Sequence, residues 1–255
     1  LKTLGLALTT ELALAATRGR IIDRGDYIVV ETPDDPGYYY GNLLVMPAPP
    51  QVGEVAFWVR RFNEHFPQAE HVTLWWDGIR GDTGAETELV AAGFTIERGL
   101  VMAADAIAAA PAVLPVRELG PDEISDQIGW AIADRHDEAY RRFLQRRAAW
   151  QRRLVTRRTA RFWGAFDGAQ LVASLGLAEL GSIGRYQDVE TLPAYRGRGL
   201  ASALLYAAAR AASVERVIVL AERRELYERA GFRLLERTAS ACRYPAGVNG
   251  ARSSR

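Results

Sequence analysis

Residues 188–204 read DVETLPAYRGRGLASAL. A β-type run around Val189 and Thr191 stops at Pro193. An arginine–glycine turn follows, Arg196-Gly197-Arg198-Gly199, and an alanine-rich stretch then runs from Leu200 to Ala212. Strand, glycine turn and helix start together make an anion site. Glycine removes the side chains that would block close approach, and the first helical turn leaves backbone N–H groups unpaired. Those donors sit at the positive end of the helix and favour a phosphate, while Arg196 and Arg198 add charge at the rim.

Spacing narrows the ligand. A nucleoside-triphosphate loop needs GxxxxGK followed by Ser or Thr, and this turn holds no lysine. A dinucleotide fingerprint needs GxGxxG, whereas residues 197–202 read GRGLAS, with Ser202 in the third glycine's place. The segment instead resembles the pyrophosphate loop of the GNAT superfamily of N-acetyltransferases, Q/R-x-x-G-x-G/A. It matches over Arg196, Gly197, Arg198, Gly199, Leu200 and Ala201, with Pro193 and Tyr195 ahead of it. A second element, Leu226-Tyr227-Glu228-Arg229-Ala230-Gly231-Phe232, follows the strand-like run Val217–Ala221 and is similar to the LYxxxGF element near the end of such domains.

The resemblance implies acetyl-CoA as co-substrate, its pyrophosphate on residues 196–201. It also implies Tyr227 as the general acid that protonates the departing thiolate. A thiolate whose conjugate acid has a pKa of about 8.5 accepts a proton from a phenol at modest cost, which gives that role a physical basis. The plain alternative for Tyr227 is packing, since a glycine after a short helix is an ordinary stop. The family often places an asparagine and an alanine before the tyrosine. Here that stretch is Glu222-Arg223-Arg224-Glu225. In the same fold, backbone amides around Thr191 and Leu192 are expected to hold the thioester carbonyl as charge develops. A base is expected nearby for the amine. Asp188 and Glu190 alternate onto one strand face that Tyr186 shares. Either could act as the base through a water, with Glu190 the candidate taken, and a solvated strand carboxylate is the plain alternative for each.

The 255 residues are 49% hydrophobic and 25% charged, at net charge +1, which suits one large or two small globular domains. Lys2 is the lone lysine, an arginine bias that reads as GC-rich, bacterial-type coding. Cys242, the single cysteine, excludes an intrachain disulfide and suits a reducing, cytoplasmic setting; its strand-like surroundings suggest packing. His65, His71 and His136 show no metal spacing, so no metal is expected. No apolar stretch is long enough to span a bilayer. Thr9, Thr10 and Glu11 interrupt the apolar start, which reads as a first helix rather than a signal peptide.

The second half is a complete unit. It has a strand over 114–119, helices over 122–135 and 137–158, and strands over 161–166 and 171–180 about an Asp167-Gly168 turn. The strand over 186–192, the loop and helix, the strand over 217–221, a short helix and a closing strand over 232–244 complete it. The first half echoes this order: strands over 27–31 and 42–46, a helix over 53–66, a strand over 71–76, and ELVAAGF at 88–94. There Leu89 stands in Tyr227's place. Met46-Pro47-Ala48-Pro49-Pro50 stands in the loop's place, and three prolines remove three donors. The expected architecture is α+β, with two GNAT-like domains, each a mixed, mainly antiparallel twisted sheet flanked by helices. Residues 1–111 form a degenerate domain without a coenzyme A loop, 112–245 a catalytic domain, and 246–255 a disordered tail.

The resulting expectation is direct transfer of an acetyl group to a primary amine of a small molecule or peptide. A non-catalytic acyl-CoA-binding or regulatory protein is the alternative. Residues 140–161 hold nine arginines and no acidic residue, among aromatic and aliphatic residues at helical spacing. They read as a basic outer face, a cap over an acidic acceptor, or a nucleic-acid contact; the near-neutral total argues against the last. Tyr38-Tyr39-Tyr40 and Trp75-Trp76 read as sheet packing or pocket lining.

Overall fold

The computed structural model describes residues 4–124, 138–221 and 223–245. Contacts divide the chain into two compact units, residues up to 101 together with those from 235 onward, and residues 102–234. The helix expected over 122–135 lies almost wholly outside the described residues, as does the 246–255 tail. None of the described helices is long and apolar enough to cross a membrane.

The first unit opens with helix α1 (Leu6–Ala15) and strands β1 (Arg20–Asp23), β2 (Ile28–Glu31) and β3 (Leu43–Met46). Helix α2 (Val55–His65), strand β4 (Val72–Trp76), helix α3 (Glu86–Ala91) and strand β5 (Thr95–Ala104) follow. β1–β2 and β2–β3 pair antiparallel, β3–β4 parallel. The strand expected to close the second half, β11 (Arg233–Arg243), runs antiparallel to β4 in this first unit, with Ser240 opposite Trp75 and Cys242 opposite Thr73. Its Ala239 and Ala241 enter the core of Leu44, Phe62, Leu74, Trp76 and Leu89.

The aromatic runs pack rather than line a pocket. Tyr40 meets Trp75 edge-on at 6.0 Å and donates to Glu97 at 2.6 Å, and Trp76 Nε1 donates to the Asp82 carbonyl at 2.8 Å. Cys242 is fully buried beside Thr73 (3.4 Å), and burial pushes its thiol up to about 12, far from a nucleophile's range. His71 is likewise buried against the Asn42 carbonyl at 3.1 Å, and burial lowers its pKa. Among the described residues no His, Cys, Asp and Glu cluster is arranged for a metal ion.

β11 also supplies a cap for α1. The helix starts at Gly5 without a side-chain cap of its own. Glu236 accepts the Leu6 and Ala7 amides at 2.9 and 3.3 Å, and Asp77 accepts the Gly5 amide at 2.9 Å. A carboxylate at the positive end of a helix satisfies orphan donors and the dipole together.

The second unit contains β6 (Val116–Glu118), α4 (Glu138–Thr156), β7 (Ala160–Asp167), β8 (Gln170–Leu180) and β9 (Ile183–Thr191). It continues with α5 (Leu200–Ala211), β10 (Arg216–Ala221) and α6 (Glu225–Arg229). The strand order is β10-β9-β8-β7-β6, antiparallel except for the parallel pair β9–β10. Antiparallel hairpin, third strand, helix, parallel strand and short helix therefore occur in the same order in both units. α5 buries Leu200, Ala203, Leu204 and Ala208, the i, i+3, i+4, i+8 stripe of a helix on a sheet, and its alanines let the backbones approach closely.

Replacing Glu236 with Ala strips the cap from α1 and leaves two N–H groups orphaned. A cost of about 1–3 kcal/mol is expected, read as a lower urea midpoint, with Glu236→Gln recovering part of it.

Candidate active site

The site is organised by a bulge in β9. Gly176 lies opposite Gln187 and Ser174 opposite Glu190, so one residue of β8 faces two of β9, Asp188 and Val189. The extra residue shifts the alternation of side chains by one. Tyr186, opposite Leu177, therefore faces α5, where its hydroxyl donates to the Leu205 carbonyl at 2.6 Å. Glu190 shares the opposite face with Ser174. The common face expected for Tyr186, Asp188 and Glu190 does not form, because the sequence pattern assumes an unbroken strand.

On the Glu190 face, Asp188 meets α4. Arg147 forms an ion pair with Oδ1, and Gln151 Nε2 donates to Oδ2 at 2.6 Å. Glu190 itself is partly buried. Burial raises its carboxyl above the ordinary value of 4.5, and the Arg147 charge pulls in the opposite direction.

Pairing of β9 with β10 extends from Ile183 to Tyr186 and stops where the bulge begins. Beyond it β9 is laddered only to β8. The Leu192 amide is spent on the Val172 carbonyl at 2.9 Å, which removes it as an oxyanion donor, contrary to the expectation for it. Antiparallel alternation then turns the neighbouring Thr191 N–H away from β8, toward the side β10 has left.

After a short 3-10 turn at Pro193–Tyr195 the chain reaches the glycine loop. Gly197 and Gly199 take φ of +77° and +78°, left-handed backbone that a side chain would strain, and nothing lies within 4 Å of where a Cβ would stand. Arg196 Nε donates back to the Thr191 carbonyl at 3.2 Å, and Arg198 to the Ala194 carbonyl at 2.9 Å while lying over the Tyr195 ring. The first turn of α5 starts at Leu200, and the first bond into it runs from Ala203 N–H to the Gly199 carbonyl. Among the described residues, no acceptor takes the N–H groups of Gly197 to Ser202. An exposed nest of donors at a helix start fits a pyrophosphate.

Tyr227 is nine-tenths buried in α6 and packs edge-on against Phe232 at 5.6 Å; Phe232 in turn meets Tyr186 at 6.0 Å. This aromatic row sets Tyr227 on the Tyr186 side, away from Glu190. Gly231, at φ +96°, ends α6 and lets Phe232 N–H return to the Tyr227 carbonyl at 3.0 Å. Sequence reasoning missed Arg147 and Gln151 as site residues: both sit inside an arginine-rich helix whose pattern reads as an outer face.

The corresponding place in the first unit is closed from within. Gly53 N–H is taken by Glu88 Oε2 at 2.6 Å and Gln51 N–H by Glu54 Oε2 at 2.8 Å. Leu89, in Tyr227's register, is fully buried core.

Residues 158–234, from the end of α4 to the start of β11, match the acetyltransferase (GNAT) domain family. The match is confined to those residues, and a second run of the same element order lies ahead of them. A functionally unknown conserved protein from Staphylococcus epidermidis superposes with a TM-score of 0.73 at 12% identity, over 89% of this chain and 94% of that one. A GCN5-related N-acetyltransferase from Kribbella flavida gives 0.66 at 17%, over 96% and 98%. A tandem GNAT protein from the clavulanic acid biosynthesis pathway gives 0.52 at 16%, over 78% and 74%. These likenesses concern the fold. No curated protein matches the chain.

Tyr186→Phe removes the bond to the Leu205 carbonyl and nothing else from the site. It is expected to cost about 1 kcal/mol in thermal or urea unfolding and to leave acetyl-CoA affinity unchanged.

Proposed function

We propose that the chain transfers the acetyl group of acetyl-CoA directly to a primary amine of a small molecule or peptide. The observation that carries this is the run of free N–H groups from Gly197 to Ser202, next to a strand whose far end has left its neighbour and presents Glu190. When bound, acetyl-CoA supplies an acetyl group activated as a thioester. The amides of residues 197–202, with Arg196 and Arg198 at the rim, hold its pyrophosphate, and Leu200 and Ala201 contribute backbone donors. Thr191 N–H is directed to stabilise negative charge on the carbonyl oxygen. Glu190 accepts the proton of the attacking amine, and the Tyr227 hydroxyl returns one to the thiolate. Acid and base come from opposite faces of the sheet, so neither competes for the other's proton. The first unit binds no coenzyme A, since its own carboxylates occupy the donors. A cytoplasmic setting accords with that co-substrate and with the single free cysteine.

Burial of Tyr227 favours the second reading, non-catalytic acyl-CoA binding. Tyr227→Phe separates the two: an enzyme loses about 100-fold or more in kcat with cofactor affinity retained, whereas a binding protein shows no turnover to lose.

Titration calorimetry with acetyl-CoA should give one site per chain. Gly199→Val, which forces a β-branched residue into left-handed backbone and fills the nest, should abolish that binding; two sites in the unaltered chain would refute the closed first unit. The pH dependence has a defined sign. Glu190 acts as the carboxylate, and burial raises its pKa, so kcat/KM rises with pH along an acid limb above 4.5 that vanishes in Glu190→Gln. The same raised value means that Glu190's contribution to stability is present at low pH and lost as pH climbs through its folded-state pKa.

A further inference from the structure

The β9 bulge is held from outside the strand. Asp188 takes φ of +51°, a left-handed conformation rare outside glycine, and strain of this kind collects at functional sites. Arg147 and Gln151, one turn apart on α4, close on the two oxygens of its carboxylate. The ion pair is buried, with 13% and 8% of the two side chains exposed. Buried pairs gain little net stability, because desolvation offsets attraction, and their best use is to fix one arrangement against another. The alternative arrangement here is specific. Without the extra residue β9 would run in regular register, and Glu190 would turn to the apolar face with Tyr186.

We propose that Arg147 is a positioning residue for Glu190, holding through Asp188 the bulge that keeps this carboxyl on the α4 face and setting a cation against it. The inference rests on the acetyl-transfer reading only in calling Glu190 a base; the hold of Arg147 on the bulge through Asp188 stands on geometry. Among the described residues, Arg147 of α4 bears on Glu190 and is itself bound to Asp188, while Arg185, opposite Ala178, lies on the same face of β9. β8 presents the uncharged Ser174, and Arg196 of the loop is turned to the Thr191 carbonyl. With Asp188 neutralising it in part, Arg147 offsets the cost of burying Glu190 without pairing it outright. A carboxyl in that position remains able to take a proton.

The test is the titration of Glu190 itself, by NMR of carboxyl-13C glutamate in the full chain, with the resonance assigned by its loss in Glu190→Gln. In Arg147→Met the Glu190 midpoint should rise by about one pH unit or more, since a facing cation is lost and Asp188 is left uncompensated. Arg147→Lys should fall between that variant and the unaltered protein. Asp188→Asn keeps a residue that tolerates left-handed backbone and frees Arg147, so the midpoint should fall. It also serves if Arg147→Met does not fold. The acid limb of kcat/KM should move in the same direction in each variant, which a loss of structure alone would not produce. An unmoved Glu190 midpoint in folded Arg147→Met, or in Asp188→Asn, overturns the inference. If the midpoints move as expected but Glu190→Gln acetylates amines at the unaltered rate, the base assignment fails and the coupling holds.

Discussion

One extra residue in β9 governs the second unit. The bulge at Asp188 and Val189 shifts side-chain alternation, so an apolar half-strand facing α5 becomes a polar half-strand facing α4. It also coincides with the end of pairing to β10, as expected where a bulge bends a strand and increases its twist. A regular strand would carry Glu190 toward the buried row of Tyr186, Phe232 and Leu205, where a carboxylate would have no partner. The bulge thus separates the surface that makes the fold from the surface that offers chemistry. It also frees the strand edge on which Thr191 N–H is presented.

The two units show that one topology can either leave backbone donors exposed or occupy them. Each runs hairpin, third strand, loop, helix, parallel strand and short helix. In the second unit the loop before the helix has two left-handed glycines, and among the described residues its donors have no acceptor. In the first unit the corresponding amides are taken by Glu54 and Glu88, and prolines at 47, 49 and 50 offer none. The backbone path is shared, and donors stay exposed only where the sequence withholds its own acceptors.

What could be read in the sequence follows the range of the forces involved. The glycine loop, the α5 stripe, the Asp167-Gly168 hairpin and the repeated order are local signals, and they place α2, α4, β7, β8 and β10 within a few residues. β1 and β5 escaped notice, being strands with no strong alternation between turn residues. The partner of β11 was out of reach, because pairing Ser240 with Trp75 is settled by cores far apart in the chain. The bulge was invisible for a different reason: nothing in DVET distinguishes a regular strand from one pulled out of register by a helix roughly forty residues earlier. That is also why Leu192 looked like an oxyanion donor and Arg147 like surface.

The fate of the arginine-rich helix follows from the same distinction. Read as a run, residues 141–161 carry a formal charge of the kind that suggests a polyanion. In the fold these cations have separate tasks. Arg142 answers Glu138 one turn away at the surface, and Arg161 holds Glu179 and the Ala211 carbonyl at the end of α5. Arg147 turns inward to the bulge. An exposed pair such as Arg142–Glu138 is screened by water and contributes little. The buried charge of Arg147 acts through a less polarisable medium on both Asp188 and Glu190. Electrostatics at the site is therefore set by which arginine the helix rotates inward, and the net charge of the segment, or of the chain, carries no information about it.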